Sequence, residues 1–340
     1  MDVADFAYEL PETSIAQTPI EPRDRARLLV DRGPGAPPEH RFVADLPELV
    51  RPGDVVVVNS TRVLPARLHL TKPTGGGVEV LLLERLPSGE WEALVRPSRR
   101  VAPGTVLVAG ADLCVRFLGP GPGEGTRLVQ LRTESGADEL ELLDRHGVVP
   151  LPPYITAPLA DPERYQTVFA DRPGSVAAPT AGLHLTPAVL DGCRAAGGRI
   201  EMVDLVVGMG TFRPISAPKV EDHRMHSERY QVSAGTVAAC EEARAAGGRV
   251  IAVGTTTVRA LESVALSGQL EGRTELFIRR PWRWHVVDVL LTNFHLPRSS
   301  LLVLIDAFVG ARWRDLYGTA LSSGYRFLSF GDAVLLDRSL

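Results

Sequence analysis

The chain has 340 residues, of which 44% are hydrophobic and 23% are charged, and its formal net charge is −4. This length favours two domains, and the composition is that of a folded chain and not of a disordered one. The small negative net charge excludes a whole-protein field that attracts nucleic acid, so an RNA partner needs a local basic patch. The three cysteines, Cys114, Cys193 and Cys240, lack the C-x-x-C spacing of a zinc knuckle and are typical of a reduced compartment.

The N-terminal residues predict no export signal. MDVADFAYELP contains two acids and no basic segment before an apolar run. No apolar run approaches the roughly 20 residues that a membrane-spanning helix needs. We therefore predict a cytoplasmic protein that does not contact a membrane.

Residues 54–134 consist of short β-rich runs, such as VEVLLL (78–83) and LCVRFL (113–118), separated by turn-forming clusters. The clusters include KPTGGG (72–77) and GPGPGEG (119–125). Strands at this spacing with no helix between them predict a small antiparallel β-barrel or sandwich. We place this barrel domain at residues 71–150.

Helices and strands alternate after a proline-rich passage at 149–158. Thr186 and Ser233 are each placed to cap a helix that ends in Gly-Gly before an apolar strand, at 199–208 and 249–254. Both units contain RAAGGR, which indicates either a duplicated αβ unit or the usual glycine chemistry of a helix end.

This alternation predicts an α/β domain with a mixed sheet flanked by helices. Further apolar runs at 288–294 and 301–310 extend the pattern toward the C-terminus. Residues before 70 carry an apolar strand but no core of their own, so we assign them to the same domain. The predicted organisation is a discontinuous α/β catalytic domain of residues 1–70 and 151–340, with the barrel domain of residues 71–150 inserted.

The sequence TTTVRALESVA (255–265) follows an apolar strand and begins a predicted helix. Free amides and the positive end of the helix dipole suit a carboxylate or phosphate there, and Arg259 in the first turn adds charge. The alternative is that the threonines only cap the helix.

The sequence VVGMGTFRP (206–214) places Gly208 and Gly210 after a strand. A dinucleotide fingerprint needs a third glycine where this chain has Arg213, so the motif does not predict a Rossmann site. The remaining interpretation of this motif is a tight turn at which the backbone approaches a flat ligand.

The sequence DHRMHSERY (222–230) contains His223, His226 and Glu228, which could bind a metal ion if the segment were helical. On a strand, His226 and Glu228 share a face, and we favour them as polar site residues.

The sequence TNFHLP (292–297) puts Asn293 and His295 at the end of an apolar strand, where α/β sheets form their ligand crevice. The alternative for His295 is a structural histidine near the core.

The sequence RRPWRWH (279–285) interleaves arginine and tryptophan, a combination that suits unstacked RNA bases and phosphates. The alternative is a hairpin with cross-strand Trp–Arg packing. Small residues precede His184 in SVAAPTAGLHLTP (175–187). They suggest room for a bulky ligand beside an exposed imidazole, or else a close strand–helix junction with a structural histidine.

The motifs APTAGLHLT, GMGTFRP, HRMHSE, VGTTTVRALES and TNFHLPRSSLL occur in this order, between the flanking segments FAYELPETSIAQTPIEPRDRARLLV and YRFLSFGDAVLL. With them the chain resembles the S-adenosylmethionine:tRNA ribosyltransferase-isomerases of queuosine biosynthesis along nearly its whole length. The resemblance implies an α/β domain with an inserted β-barrel. It also implies transfer and isomerisation of the ribosyl group of S-adenosylmethionine onto 7-aminomethyl-7-deazaguanine at the wobble position of tRNA with a GUN anticodon. The implied products are epoxyqueuosine-tRNA, adenine and methionine, with no metal and no prosthetic group.

Within the matching motifs we assign three sets of residues. The catalytic set, for proton handling, is His184, His226, Glu228 and His295. The donor-binding set, with Thr255, Thr256 and Arg259 at the methionine carboxylate, is Gly208, Gly210, Thr211, Thr255, Thr256, Arg259 and Asn293. The tRNA-binding set is Asn59, Arg62, Arg67, Arg280, Trp282 and Arg283.

We expect a monomer. Departures from the family pattern at Ser60, Arg229 and 279–285 leave open a diverged paralogue that uses S-adenosylmethionine on a different acceptor. A non-catalytic RNA-binding protein is a second alternative, supported by 279–285 alone. An ordinary methyltransferase is disfavoured because its glycine-rich first loop is not evident.

Overall fold

The computed structural model describes residues 1–72, 74–133, 136–208 and 214–338, without the side chain of Arg100. Gly210 and Thr211, two predicted donor-binding residues, lie outside the described residues. The chain divides into two compact units. The larger unit comprises Met1–Thr61, Pro152–Arg172 and Ala178–Leu340, and the barrel unit comprises Arg62–Leu151 and Pro173–Ala177.

The regular elements are numbered in chain order. The strands formed by the described residues are β1 (Arg27–Val30), β2 (Glu39–Phe42), β3 (Val55–Asn59), β4 (Thr61–Val63), β5 (Arg67–Thr71), β6 (Gly77–Arg85), β7 (Trp91–Arg96), β8 (Val106–Ala109), β9 (Leu113–Pro120), β10 (Arg127–Thr133), β11 (Gly147–Val148), β12 (Arg172–Ser175), β13 (Arg199–Leu205), β14 (Glu228–Val232), β15 (Val250–Val253), β16 (Glu271–Thr274), β17 (Val289–Asn293) and β18 (Ala333–Asp337). The helices are α1 (Leu46–Leu49), α2 (Glu139–His146), α3 (Pro187–Ala195), α4 (Ala234–Ala245), α5 (Thr255–Ser267), α6 (Ser300–Val309) and α7 (Trp313–Ser322).

The larger unit is built on a nine-stranded mixed sheet in the order β16-β14-β13-β3-β15-β17-β18-β1-β2. Strand β3 pairs in parallel with β13 and β15, and β15 pairs in parallel with β17. Every residue of β3, β15 and β17 is buried, as expected where helices cover both faces of parallel strands. The predicted mixed sheet flanked by helices is confirmed.

The barrel unit contains the antiparallel sheet β11-β5-β6-β7-β10-β9-β8, which closes through a β5–β8 pairing. The strands from β5 to β10 form a closed six-stranded barrel, and the predicted barrel is confirmed. Along β9, Leu113, Val115 and Phe117 are buried in alternation with more exposed residues. The predicted barrel domain starts at residue 71, whereas β5, which pairs with β6, already begins at Arg67. The division into a discontinuous domain of residues 1–70 and 151–340 and an inserted domain of residues 71–150 remains a prediction.

The predicted helix starts in the larger unit are present. The Thr186 hydroxyl accepts a hydrogen bond from the amide of Val189 at the start of α3, and the Ser233 hydroxyl accepts one from the amide of Thr236 at the start of α4. Helix α5 follows Gly254 directly, whose φ of 88° is one that a residue with a side chain rarely adopts.

A buried ion pair fastens the amino ends of β3 and β15. The fully buried Asp54 carboxylate lies 2.6 Å from Nη2 of Arg249 and also accepts hydrogen bonds from the backbone amides of Arg51 and Arg249. Arg249 reaches Asp337 at the end of β18, with 3.1 Å between Nη1 and Oδ2. Breaking such a pair from one side leaves a buried charge without its partner.

We therefore expect Asp54→Ala to lower the free energy of unfolding by about 3–5 kcal/mol, measured by urea denaturation. The matched control is Asp191→Ala, which breaks the exposed pair with Arg194 and should change stability by less than about 1 kcal/mol. Equal losses in the two variants would contradict the assignment.

Candidate active site

A cleft in the larger unit lies where β15 and β17 end. Its volume, measured with its open mouth, is about 570 Å³. Its walls come from residues 178–181, from the start of α5 and from the segment after β17. The carboxyl ends of parallel strands are the usual place for ligands in an α/β sheet. The polar residues that line it are Tyr154, Thr180, Thr255, Thr256, Thr292, Asn293, His295, Ser299 and Ser329.

The N-terminus of α5 forms one wall of the cleft. Gly254, Thr255 and Thr256 all line it, and both threonines are buried. The first amides of an α-helix have no partner within the helix and carry its positive dipole end. This wall can therefore receive a carboxylate or phosphate, as the sequence predicts.

The Asn59 side chain connects this wall to the end of β13 through hydrogen bonds. Its Oδ1 accepts hydrogen bonds from the amides of Thr61 and Leu205, and its Nδ2 donates to the Leu205 carbonyl (3.0 Å) and the Thr256 hydroxyl (3.3 Å). The side chain is 1% exposed. The predicted contact of Asn59 with tRNA needs correction, because its amide is buried and bonded within the protein.

His184 and Asn293 are joined by a hydrogen-bonded chain. The Thr180 hydroxyl donates to Oδ1 of Asn293 (2.9 Å), whose Nδ2 lies 2.9 Å from Nε2 of His184. Because Nδ2 can only donate, Nε2 of His184 accepts and the ring proton is on Nδ1. Burial lowers the pKa of His184 to about 4, which agrees with a neutral ring.

The small residues before His184 bring chain segments close together and do not expose the imidazole. A Cβ on Gly182 would lie 2.8 Å from the ring of Phe169, so only glycine fits there. Ala178 and Ala181 are buried, and His184 is 4% exposed. The expectation of an exposed imidazole is wrong, because the same small residues allow close packing around it.

His295 is the imidazole that lines the cleft itself. Its Nε2 is 3.0 Å from the Thr292 hydroxyl, its backbone amide donates to the Tyr317 hydroxyl, and its carbonyl accepts from the Tyr8 hydroxyl. Burial lowers the pKa of His295 to about 3, so this ring is also neutral near pH 7.

Glu228 and Arg259 form a buried ion pair between β14 and α5. Arg259 also donates from Nε to the Leu276 carbonyl (3.0 Å) and from Nη2 to the Thr274 carbonyl (3.3 Å). Glu228 accepts from the amide of Gly208 (3.0 Å). Arg259 thus contacts acceptors of the protein itself, and neither member of the pair lines the cleft.

His226 and Glu228 differ in their surroundings. His226 is exposed in the loop before β14, whereas Glu228 is buried as the first residue of that strand. The expectation that both residues share one strand face therefore does not hold, since His226 precedes the strand. His223, the other histidine of the motif, packs edge-to-face against Phe277.

The segment 279–285 is irregular and not the hairpin considered from the sequence. Arg280 makes a bidentate pair with Asp306 (2.6 and 2.8 Å), and Trp282 Nε1 donates to Glu262. The fully buried Glu262 also accepts amide hydrogen bonds from His285, Val286 and Val287. Arg283 is exposed.

The other two predicted tRNA contacts, Arg62 and Arg67, lie on β4 and β5 in the barrel unit and are half-buried. Sequence reasoning missed several cleft residues, namely Tyr154, Thr180, Thr292, Ser299 and Ser329. Tyr154 and Thr180 lie inside the motifs LPPYI and APTAGLHLT, so hydroxyl side chains next to small or proline residues were the available signal.

The described parts of the chain contain no cluster of three or more His, Cys, Asp or Glu side chains able to hold a metal ion. No helix among the described residues combines the length and apolar character needed to cross a bilayer.

A mixed nine-stranded sheet, a closed six-stranded barrel and a polar cleft at the carboxyl strand ends define an α/β protein with a candidate small-molecule site. The sequence matches the family described as "Queuosine biosynthesis protein" over residues 3–336. The chain belongs to this family.

Curated relatives named S-adenosylmethionine:tRNA ribosyltransferase-isomerase include proteins of Rubrobacter xylanophilus and Moorella thermoacetica. The first is 50% identical, with 99% of this chain and 98% of the relative covered, and the second is 49% identical, with 99% and 100% covered. The crystal structure of S-adenosylmethionine tRNA ribosyltransferase from Thermotoga maritima is 38% identical with a TM-score of 0.56, covering 97% of this chain and 99% of that one. These names confirm the predicted enzyme class, a transferase-isomerase.

The buried imidazoles predict a specific pH dependence of stability. Their pKa values, about 4 for His184 and about 3 for His295, lie below the ordinary 6.5, so the unfolded chain binds more protons between these limits. The free energy of unfolding therefore falls as pH falls from about 6.5 toward 4, by up to about 1.4 kcal/mol per pH unit for each imidazole.

We expect His184→Gln to lose less stability than wild type over this range, measured by urea denaturation at pH 7.5, 6.5, 5.5 and 4.5. The control His69→Gln, at an exposed position on β5, should follow the wild-type curve. A His184→Gln curve parallel to wild type would show that the buried imidazole is not held neutral.

Proposed function

We propose that the chain transfers and isomerises the ribosyl moiety of S-adenosylmethionine onto 7-aminomethyl-7-deazaguanine at the wobble position of tRNA. The products are epoxyqueuosine-tRNA, adenine and methionine. The names of relatives that match almost the full chain supply the reaction class. The observation that carries the proposal is a cleft lined both by the N-terminus of α5 and by His295.

The cleft suits the donor. It combines apolar walls with a few polar side chains, which is the usual lining of a small-molecule site. The methionine carboxylate binds at the start of α5, where Thr255 and Thr256 present amides and hydroxyls. Arg259 and Glu228 serve this site by positioning: their ion pair fixes α5 against β14 and holds Gly208 at the end of β13.

The chemistry requires a base for a C5′ proton that the adjacent sulfonium makes acidic. Adenine then leaves, the amine of the deazaguanine attacks the ribose carbon skeleton, and an oxyanion expels methionine as the epoxide closes. His295 is the base we favour, since it is the histidine that lines the cleft, and Thr292 orients its ring. His184 acts through Asn293, whose amide it holds at the cleft wall.

Charge stabilisation in the cleft comes from groups that are already oriented. Water is largely excluded around His184 and Asn293, so hydrogen bonds there are stronger than in solvent. No step requires a prosthetic group or a metal ion. His226, which is exposed, is the alternative proton-handling group, acting from the surface of the loop before β14.

The tRNA partner carries a GUN anticodon in this proposal. Arg62 and Arg67 of the barrel unit and the segment with Arg280, Trp282 and Arg283 are its proposed contacts, with Arg283 the most available because it is exposed. We further propose that the enzyme acts as a cytoplasmic monomer.

The reaction is tested by release of adenine from S-adenosylmethionine. We expect release with tRNA that carries 7-aminomethyl-7-deazaguanine and none with unmodified tRNA, measured by liquid chromatography. Turnover with a different modified nucleoside only would identify a diverged paralogue. Tight tRNA binding with no adenine from any acceptor would indicate a non-catalytic RNA-binding protein and overturn the proposal.

The base is identified by comparing three single variants. We expect His295→Gln to lower kcat by about 10²–10⁴-fold with little change in the Kd for S-adenosylmethionine. His184→Gln should reduce kcat less and raise KM, since it acts through Asn293. His226→Gln tests the alternative proton-handling group and should keep near wild-type kcat. A large loss in His226→Gln with normal activity in His295→Gln would reverse the assignment.

A further inference from the structure

One face of the sheet formed by β13, β14 and β16 is open to solvent. Along β14, Glu228, Tyr230 and Val232 are buried while Arg229 and Gln231 are exposed. Pairing places Gln231 opposite both Asp204 on β13 and Glu271 on β16, and partners in register point to the same side. Met202 on β13 is 45% exposed, so no helix formed by the described residues covers this side there.

This open face carries three arginines. Arg229 lies directly opposite Arg273 in the β14–β16 pairing, and Arg172 donates a hydrogen bond to the Gln231 side chain. Arg273 is held by the side chain and carbonyl of Ser227. Like charges directly opposite each other on a sheet are unfavourable unless an anion lies between them.

The arginines at this face differ from those that meet carboxylates elsewhere in the protein. Arg249 pairs with Asp54, and Arg280 pairs with Asp306. In the described part of the chain, Arg172 and Arg229 form no ion pair within 4.0 Å of an acidic oxygen. Their charge is therefore available to a ligand.

Two carboxyl groups face these arginines. Asp204 is 9% exposed, and its burial raises its pKa, while Arg229 and Arg172 act in the opposite direction. Glu271 accepts from the Gln231 amide at the far end of β16. Asp204 lies below the surface, whereas Arg172, Arg229 and Arg273 are exposed.

The face adjoins the cleft along the chain. The Arg229 carbonyl accepts a hydrogen bond from the amide of Val206, and the next residue, Val207, lines the cleft. A polyanion lying across Arg229 therefore passes the segment that connects the end of β13 to Val207 at the cleft.

We propose that this face, defined by Arg172, Arg229 and Arg273, binds the phosphate backbone of the RNA substrate. The inference rests on the proposed function, which supplies RNA as the partner. Guanidinium groups match phosphate oxygens in geometry and charge, and backbone contacts of this kind position an RNA without reading its sequence.

The test measures Kd for an unmodified tRNA transcript as a function of salt, by fluorescence anisotropy. Arg172→Gln and Arg229→Gln should each weaken binding about 3–10-fold near 0.1 M salt and reduce the slope of log Kd against log salt by about one. The control Arg194→Gln, on the exposed side of α3, should stay within about twofold of wild type. The unfolding midpoint of Arg229→Gln should not fall, because Arg229 is exposed and forms no ion pair among the described residues.

The outcomes separate this proposal from the proposed function. If both variants bind tRNA as wild type does, or lose no more affinity than Arg194→Gln, the face does not bind RNA, whatever the enzyme's activity. If wild type binds tRNA but releases no adenine, the proposed function fails. The effect of the two substitutions on tRNA binding still decides whether this face binds RNA. A wild-type dimer that these substitutions dissociate would assign the face to a second copy of the chain and overturn the proposal.

Discussion

The cleft depends on the buried amide of Asn59, which joins three elements at one point. It bonds to β13 through both backbone groups of Leu205 and to α5 through the Thr256 hydroxyl, while its own residue ends β3. Each of these groups would be costly to bury without a partner, by about 1–3 kcal/mol. The position of the α5 N-terminus, which forms one wall of the cleft, follows from satisfying them together.

Buried ion pairs in this protein also fix the positions of structural elements more than they add to its stability. Removing two charges from water costs about as much as their attraction returns, so a buried pair is weak evidence of added stability. Glu228 nevertheless fixes two things at once, the guanidinium of Arg259 and the amide of Gly208. The chain leaving β13 is thereby directed past the cleft. The pair is best understood as a geometric constraint on the site.

Sequence patterns predicted what depends on local chemistry. The barrel strands, the caps at Thr186 and Ser233 and the strand before α5 each follow from neighbouring residues. The patterns failed where a side chain's partner is distant: Asn59 bonds to Leu205, 146 residues away, and His184 to Asn293, 109 residues away. An asparagine at a strand end has the same local signature whether it faces solvent or the core. Only the tertiary arrangement decides between them.

The small residues before His184 link the packing to the chemistry. Because Gly182 admits the Phe169 ring at a distance that no Cβ allows, the segment closes over the imidazole and removes it from water. Desolvation then keeps the ring neutral near pH 7, so Nε2 can accept the Asn293 amide and leave its Oδ1 for Thr180. A charged imidazole would donate there and break this chain of hydrogen bonds. Close packing thus sets the protonation state on which the geometry of the cleft wall depends.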